Sequence, residues 1–251
     1  MNEQVTLFNL VAFATWSLQV TLLVRMHQKH LAREYRIFFA YTAFTLLQSI
    51  SETAILDYYG FHSRQYFLTY WALFPIQMTL MFFVIQEVYS KVLYRYEGLR
   101  TLSGMIFRWA FMLLVVIAIA NAVSSPAAEK DWMFSGILKM DYSVRIVEFG
   151  LIILLFALAK ALALSWRDCI FGIAVGTCFY CSTELAGIAV RTHYFREVAG
   201  LVATVQPFFG VISLAVWTAY FYRADHKFRE IKLSNPQLEE WNQAVLQFLS
   251  R

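Results

Sequence analysis

Charged residues are scarce in this chain. Only 15% of its 251 residues are Asp, Glu, Lys or Arg, whereas about a quarter of the residues in soluble domains are charged. Hydrophobic residues make up 59% of the chain, in long blocks that short charged segments separate. A helix needs about 20 apolar residues to cross a bilayer, and continuously apolar blocks exclude the alternating strands of a membrane barrel. The composition therefore predicts an all-α, polytopic membrane protein.

The apolar blocks also lack the residues that several kinds of catalytic, metal or cofactor site require. None of the five histidines falls within a block, which excludes a bis-histidine transmembrane haem and disfavours an intramembrane zinc site. No phosphate-binding loop and no Gly-x-Ser-x-Gly motif occurs. We therefore expect no catalytic residue, no cofactor and no metal, and an enzyme is the least favoured class. The net charge of +4 does not indicate nucleic-acid binding, because the basic residues flank the blocks.

Cysteine is also rare. Cys169, Cys178 and Cys181 fall in one predicted span, so we expect no disulfide, and the spacing of the last two is interpreted as small residues that pack between helices. No Asn-x-Ser/Thr site occurs, which with the missing disulfide fits a bacterial membrane. Residues 1–4 lack the basic segment of a cleavable signal, so the first block is predicted to be a span.

The blocks predict seven transmembrane helices in a domain of residues 1–223, followed by a tail of residues 224–251. With the N-terminus outside, 15 of the 21 Lys and Arg residues lie on the inner side and 6 on the outer side. This bias predicts an outside N-terminus, a cytoplasmic C-terminus and a place in the bacterial inner membrane. The predicted spans are residues 6–25, 37–57, 65–90, 104–124, 142–165, 168–190 and 199–222.

The tail carries the pattern of an amphipathic helix, with apolar residues three and four positions apart. Three roles stay open for residues 236–251: lying on the membrane surface, docking on a cytoplasmic partner, or packing under the bundle. The apolar positions are Leu238, Trp241, Val245, Phe248 and Leu249.

A faint internal repeat is compatible with the seven spans, as three helices, a linker helix and three more. At an offset of 132 residues, Glu52 matches Glu184 and Pro75 matches Pro207. Identity between the halves is low, so chance is a serious alternative. A true repeat indicates a transporter with parallel halves and a site between them near the membrane interior.

Three glutamates lie inside spans, where ionisable residues are costly and are candidates for function. Glu52, Glu148 and Glu184 each lie five or six residues from an outer span end, a depth of roughly 8–9 Å at about 1.5 Å per residue. Such carboxylates need a cation, a proton or an arginine. The predicted partners are Arg145 for Glu148 and Arg191 for Glu184. Gln48, Gln77, Gln206 and Tyr180 are predicted to complete a polar pocket.

Two prolines within spans, Pro75 and Pro207, each free a backbone carbonyl, bend the helix and are candidate hinges. The nearby amides of Gln77 and Gln206 are placed to bond that opened backbone. Prolines are also ordinary in membrane helices, so a purely structural role stays open.

These patterns favour a small-molecule-binding membrane protein of the transporter class, with an outward-facing cavity for a small polar or cationic ligand. The alternative is a membrane sensor or subunit that acts through a cytoplasmic or membrane partner. A further interpretation of the glutamates is structural, since each can form a hydrogen bond or ion pair that locks the helix bundle.

Several stretches resemble a group of bacterial seven-span membrane proteins associated with acidobacterial genomes. The resemblance implies a bacterial host and a multi-pass fold, and it implies no activity and no functional residue. The stretches are EYRIFFAY at 34–41, YEGLR at 96–100, FRW at 107–109 and FGIAVG at 171–176.

Overall fold

A computed structural model describes residues 2–60, 63–93, 97–124, 132–161, 169–193 and 199–223. Within these ranges the chain forms eight helices and contains no strand. The helices are α1 (Asn2–Gln28), α2 (Leu31–Glu34), α3 (Arg36–Tyr59), α4 (Arg64–Val92), α5 (Glu97–Ser124), α6 (Trp132–Ala161), α7 (Cys169–His193) and α8 (Ala199–Arg223).

Five of these helices are long and apolar enough to cross a membrane. They coincide with the first, third, fifth, sixth and seventh predicted spans. In α5 the described apolar segment, Thr101–Leu114, is shorter, and α3 carries too many polar residues to qualify. The two helices are present, and their crossing of the membrane stays a prediction. The five segments are Asn9–Gln28, Arg64–Val92, Asp141–Lys160, Cys169–Val190 and Thr204–Arg223.

Helices extend beyond the predicted spans at several ends. The clearest case is α6, which begins at Trp132 rather than at residue 142. A helix satisfies its own backbone hydrogen bonds, so it continues past the apolar block without a penalty in water or headgroups. Hydropathy locates the apolar part of a helix, whereas the backbone decides where the helix begins.

Two residues with positive φ mark the turns around α3. His30, with φ 56°, ends the turn after α1 and precedes the four-residue α2, which the sequence did not predict. Gly60, with φ 79°, follows α3, and its N–H donates to Leu56 O at 2.9 Å. Left-handed backbone of this kind is easiest for glycine and commonly ends a helix.

The chain divides into two compact units. The first comprises residues 1–87 and 207–226, and the second comprises residues 88–206 and 227–251. The residues expected as one transmembrane domain thus contain two units, and the boundaries fall within α4 and α8. A repeat of three helices, a linker helix and three helices would place the boundary between the two units in the fourth predicted span. No boundary between the units falls there, and the repeat stays a prediction. The tail from residue 224 onward lies outside the described residues.

In the first unit, α1 and α3 pack antiparallel along a row of polar bonds. Trp16 Nε1 donates to Ser49 Oγ at 2.9 Å, and Gln19 Nε2 donates to Thr45 Oγ1 at 3.3 Å. Residue number rises along α1 as it falls along α3, which is the signature of antiparallel neighbours. Such interhelical hydrogen bonds are a common means of holding membrane helices together.

Aromatic rings join α3 to α8 in the same unit. The Phe38 ring lies 5.3 Å from that of Trp217 and 5.6 Å from that of Phe221, and Tyr35 lies edge-on to Phe221 at 5.8 Å. All four side chains are buried. Edge-on and stacked aromatic pairs at these distances are favourable, so the cluster fixes the beginning of α3 against the end of α8.

In the second unit, α6 packs against α5 and α7. Phe156 of α6 lies edge-on to Phe171 of α7, with ring centroids 6.3 Å apart. The buried hydroxyl of Tyr89 donates to Leu151 O at 2.5 Å, and its ring lies 5.1 Å from that of Phe107 in α5. Tyr89 therefore ties the end of α4 to the middle of α6.

The outer faces of the helices are apolar and the inner faces hold the polar groups. In α3, Gln48 is 7% exposed while its neighbour Leu47 is 64% exposed. Phe13 in α1 and Met112 in α5 are likewise exposed. A soluble protein rarely exposes such rows of large apolar side chains, whereas lipid accommodates them.

Candidate functional site

A partly open cavity of about 170 Å³ lies within the first unit. Three helices, α1, α3 and α8, form most of its wall, and the beginning of α4 adds one ring. Its wall is apolar except for a carboxylate, three hydroxyl side chains and a tyrosine. The lining residues are Val11, Ala12, Thr15, Ser49, Glu52, Thr53, Leu56, Tyr66 and Pro207.

Glu52 is the acidic group of this cavity. It lies on α3 seven residues before Tyr59, where that helix ends. Gln48, one turn earlier on the same helix, donates from Nε2 to Glu52 Oε1 at 2.9 Å. Gln48 is buried and Glu52 is half-buried, so the amide holds the carboxylate at the cavity wall and leaves Oε2 available to a ligand.

Two of the three hydroxyl side chains in the cavity wall donate their protons to backbone carbonyl groups. Thr15 Oγ1 donates to Val11 O at 2.9 Å, and Thr53 Oγ1 donates to Ser49 O at 2.9 Å. Each hydroxyl has one proton and two lone pairs, so these two threonines present acceptors to the cavity. Together with the carboxylate, they make the polar part of the wall predominantly accepting.

A second polar centre, the Arg145 cluster, is buried in the second unit and consists of Asp141, Arg145, Glu148 and Cys181. Arg145 Nη1 lies 3.0 Å from Glu148 Oε2, and Arg145 Nε lies 3.4 Å from Asp141 Oδ1. The side chains of Glu148 and Arg145 are 0% and 3% exposed. Cys181 of α7 donates from Sγ to Glu148 Oε2 at 3.8 Å. The predicted pairing of Arg145 with Glu148 is thus present.

Tyr180 and Glu184 of α7 lie beside this cluster. The Tyr180 ring is 5.2 Å from the guanidinium carbon of Arg145, a cation–π distance. Glu184 Oε2 accepts a hydrogen bond of 2.5 Å from Gln206 Nε2 of α8. The lack of a side chain at Gly187 leaves room for the side-chain amide of Gln206, because a Cβ at Gly187 would lie 3.0 Å from Gln206 Oε1.

The other predicted site residues have different outcomes. Pro75 and Pro207 lie inside α4 and α8, and their role as hinges stays a prediction. Gln206 bonds Glu184 rather than the backbone freed by the neighbouring proline. Gln77 is half-buried in α4. Arg191 lies in α7, but its side chain is outside the described residues, so its pairing with Glu184 stays a prediction.

The three glutamates do not share a distance from their helix ends. Glu148 lies sixteen residues after Trp132, the first residue of α6, whereas Glu52 lies seven residues before the end of α3. Glu184 lies nine residues before the end of α7. The described apolar segments Asp141–Lys160 and Cys169–Val190 place Glu148 seven and Glu184 six residues from an end. The shared depth of the three glutamates in the membrane therefore stays a prediction.

Four contributing residues were missed or misinterpreted in the sequence. Cys181 was interpreted as a packing residue, yet its thiol contacts Glu148. Asp141 lay outside the predicted span, although its spacing of four residues from Arg145 indicates an ion pair. Nothing in the sequence marked Thr15 and Tyr66 as site residues, because short polar and aromatic residues are common in membrane spans.

Glu87 was also missed, and its role is structural. Its carboxylate accepts from the backbone N–H of Ile37 at 3.3 Å and of Phe38 at 3.0 Å. These N–H groups belong to the first turn of α3, where no intrahelical acceptor exists. Glu87 of α4 therefore caps α3 in place of a side chain from Tyr35, which makes no cap bond.

The fold and the two polar centres define the class: an all-helical, multi-pass membrane protein with buried carboxylates. Among the described residues, no group of three or more His, Cys, Asp or Glu side chains is arranged to hold a metal ion. No protein family, no curated protein and no solved structure matches the chain.

Proposed function

We propose that the chain crosses the bacterial inner membrane seven times, binds a small organic cation in the cavity beside Glu52 and transports it. The observation that carries the proposal is the accepting wall of the cavity, formed by Glu52, Thr15 and Thr53. The resemblance to acidobacterial seven-span proteins supports the bacterial host.

The packing of α3 supports a count of seven spans. Its first turn is capped by Glu87 near the end of α4, and its middle bonds Trp16 and Gln19 of α1. Helix α3 therefore runs beside two helices that are apolar enough to span. At about 1.5 Å per residue its 24 residues reach ~36 Å, more than the ~30 Å of a bilayer core. Two of its polar residues, Ser49 and Thr45, accept hydrogen bonds from α1.

Helix α5 offers similar support. Its 28 residues give a length of ~42 Å at about 1.5 Å per residue. Met112, Leu113 and Val116 are exposed on its surface, which suits contact with lipid.

The ends of α1 and α8 support the proposed direction. Lys29 Nζ donates to Tyr222 O at 3.4 Å, and the Arg25 guanidinium lies over the Tyr222 ring at 4.6 Å. The C-terminal ends of the two helices thus meet at a basic cluster. Cytoplasmic segments are enriched in Lys and Arg, which supports a cytoplasmic location for this end and an outside location for the start of α1.

The chemistry of the cavity selects the ligand class. A wall that mainly accepts hydrogen bonds favours a ligand that donates them, and a carboxylate in apolar surroundings favours a positive charge. The Tyr66 ring adds a face that attracts ammonium groups. A dry protein cavity of about 150 Å³ holds benzene, so a volume of about 170 Å³ suits a small alkylammonium ion.

Binding of n-propylammonium, with n-propanol as its neutral counterpart, tests the ligand class. The purified protein in lipid nanodiscs is heated with each compound, and a ligand that binds only the folded state raises the melting temperature. We expect n-propylammonium to stabilise the wild type and n-propanol to have little effect. The Glu52→Gln variant should lose the response, because an amide keeps the shape and removes the charge.

The matched control is Glu184→Gln, which removes a carboxylate that is also bonded to a glutamine but lies in the second unit. It should retain the response of the wild type. Ala12→Leu keeps Glu52 but fills part of the cavity, and it should lose the response. Equal stabilisation of the wild type, Glu52→Gln and Ala12→Leu would contradict the proposal.

Transport is distinguished from sensing by the tail. Docking on a cytoplasmic partner is one of the three roles left open for residues 236–251, and it belongs to the alternative in which the chain is a sensor. A chain truncated after residue 235 is compared with the full chain for uptake of labelled n-propylammonium into proteoliposomes. Unchanged uptake supports a transporter, and binding without uptake in both chains supports the sensor.

A further inference from the structure

Two buried glutamines in the first unit each have a side-chain oxygen without a hydrogen-bond donor. Gln19 of α1 is 5% exposed and Gln48 of α3 is 7% exposed. No donor from the part of the chain that the structure describes reaches the Oε1 atom of either residue. A buried acceptor without a donor is costly, so two of them on neighbouring helices indicate a bound group that supplies the missing interaction.

The neighbours of each amide determine which end carries the oxygen. Gln48 Nε2 donates to the carboxylate of Glu52 at 2.9 Å, and a carboxylate accepts hydrogen bonds. Gln19 Nε2 donates to Thr45 Oγ1 at 3.3 Å, and that hydroxyl donates its own proton to Thr42 O at 3.0 Å. Reversing either amide would place its oxygen against an acceptor. Both Oε1 atoms are therefore held away from these neighbours.

Two hydrogen bonds between α1 and α3 place the glutamines at the same level of the helix pair. Trp16 bonds Ser49, and Gln19 bonds Thr45. Gln48 lies between positions 45 and 49 of α3, so in this antiparallel pair it is level with the segment of α1 that contains Trp16 and Gln19. The contact between the two helices therefore offers a carbonyl oxygen from each of them at one level.

The hydroxyl groups near this level offer no protons. Thr15 Oγ1 donates to Val11 O at 2.9 Å, and Thr42 Oγ1 donates to Phe38 O at 2.9 Å. A buried water makes about three hydrogen bonds, so it would need a donor in addition to the two glutamine oxygens. A cation needs oxygen ligands alone. The arrangement therefore favours a cation over a water molecule.

The ligand atoms and the nearby charge favour a monovalent cation. Amide and hydroxyl oxygens suit hard cations, and divalent ions usually bind through carboxylates. One carboxylate, Glu52, lies one turn from Gln48 and can balance one positive charge. A cation at Gln48 Oε1 would also polarise the amide and strengthen its N–H bond to Glu52.

The level of the two glutamines borders the cavity. Thr15 and Glu52 line that cavity. They lie four residues from Gln19 and Gln48, and residues at this spacing share a helix face. An ion can therefore enter from the cavity, and water there can supply its remaining ligands.

We propose that Gln19 and Gln48 bind a sodium ion between α1 and α3 through their side-chain carbonyl oxygens. The site goes beyond the binding of an organic cation beside Glu52, and it does not require that cation. A transporter with such a site can couple the movement of its ligand to that of Na⁺.

Binding of radioactive Na⁺ tests the site directly. The full chain in lipid nanodiscs is equilibrated with the labelled ion, without added organic cation, and unlabelled NaCl is then added in increasing amounts. We expect the wild type to bind one displaceable ion per chain. Gln19→Met should lose this binding, because it removes a ligand oxygen and leaves Glu52 and its bond from Gln48 in place. Gln19→Glu keeps an oxygen ligand and should retain the binding.

The control variant is Gln77→Met, which removes a half-buried amide from α4 in the same unit. It should bind Na⁺ as the wild type does. Undiminished binding by Gln19→Met would show that sodium is only a counterion of Glu52 and would overturn the proposal. An absence of displaceable Na⁺ binding in the wild type also decides against the site. Neither result bears on the response to n-propylammonium, so the two proposals are tested separately.

Discussion

Each unit contains a glutamate bonded to a glutamine, and the two pairs differ in their surroundings. In the first unit Glu52 accepts from Gln48, its neighbour one turn earlier, and faces a cavity. In the second unit Glu184 accepts from Gln206 of another helix, beside the Arg145 cluster. The first pair positions a carboxylate toward open space, whereas the second joins two helices. The same two residue types therefore support a binding role in one unit and a packing role in the other.

The largest expected effect comes from Arg145→Ala in the second unit. Removing one partner of a buried ion pair costs about 3–5 kcal/mol, because it leaves an uncompensated charge. We expect a loss of this size in the free energy of unfolding, measured in mixed detergent micelles. Adding Glu148→Gln should restore part of the loss. If the single variant loses less than about 1 kcal/mol, the buried cluster is not what holds this unit together.

A smaller effect is expected from Gly187→Ala, which tests the packing role of Gln206. The new Cβ would lie 3.0 Å from Gln206 Oε1, so the amide must move and its bond to Glu184 weakens. The control Gly150→Ala meets no atom within 4 Å. Interhelical hydrogen bonds in membranes contribute about 0.6 kcal/mol, at most about 1.7. We expect Gly187→Ala to be less stable than the control by about 1 kcal/mol, and equal stability would contradict the packing role.

The smallest effect on stability is expected from Glu52→Gln in the first unit. The amide oxygen of Gln still accepts from Gln48, so the free energy of unfolding should change by about 0.6 kcal/mol or less. The binding of n-propylammonium should nevertheless be lost. A loss of stability as large as that of Arg145→Ala would remove the contrast between the units and show that Glu52 is structural.

Local spacing allowed part of the site to be predicted. Gln48 and Glu52 are four residues apart and Arg145 and Glu148 three, and residues at these distances are neighbours on a helix. Both contacts are therefore consequences of helix formation alone. The bond from Gln206 to Glu184 and that from Cys181 to Glu148 cross between helices, so no spacing along the chain indicates them.

Hydropathy located the apolar segments but not the full helices. It placed the fifth span at residue 142, whereas α6 begins at Trp132. The described apolar segment of α6 begins at Asp141, so the shared depth of the glutamates stays a prediction. The polar residues of α3 lowered its hydropathy, although Gln48 is buried and Thr45 is bonded to α1. Hydropathy sums residues without regard to the face on which they lie.

The sequence by itself determined a helical membrane protein, because long apolar blocks have few alternatives in a bilayer. It also determined the contacts within a turn, such as Arg145 with Glu148. Only the tertiary structure decided that Glu52 lines a cavity, that Cys181 and Gln206 reach glutamates on other helices, and that Glu87 caps α3. Those outcomes depend on which helix faces which and at what height, and that is set by the packing of side chains far apart in the chain.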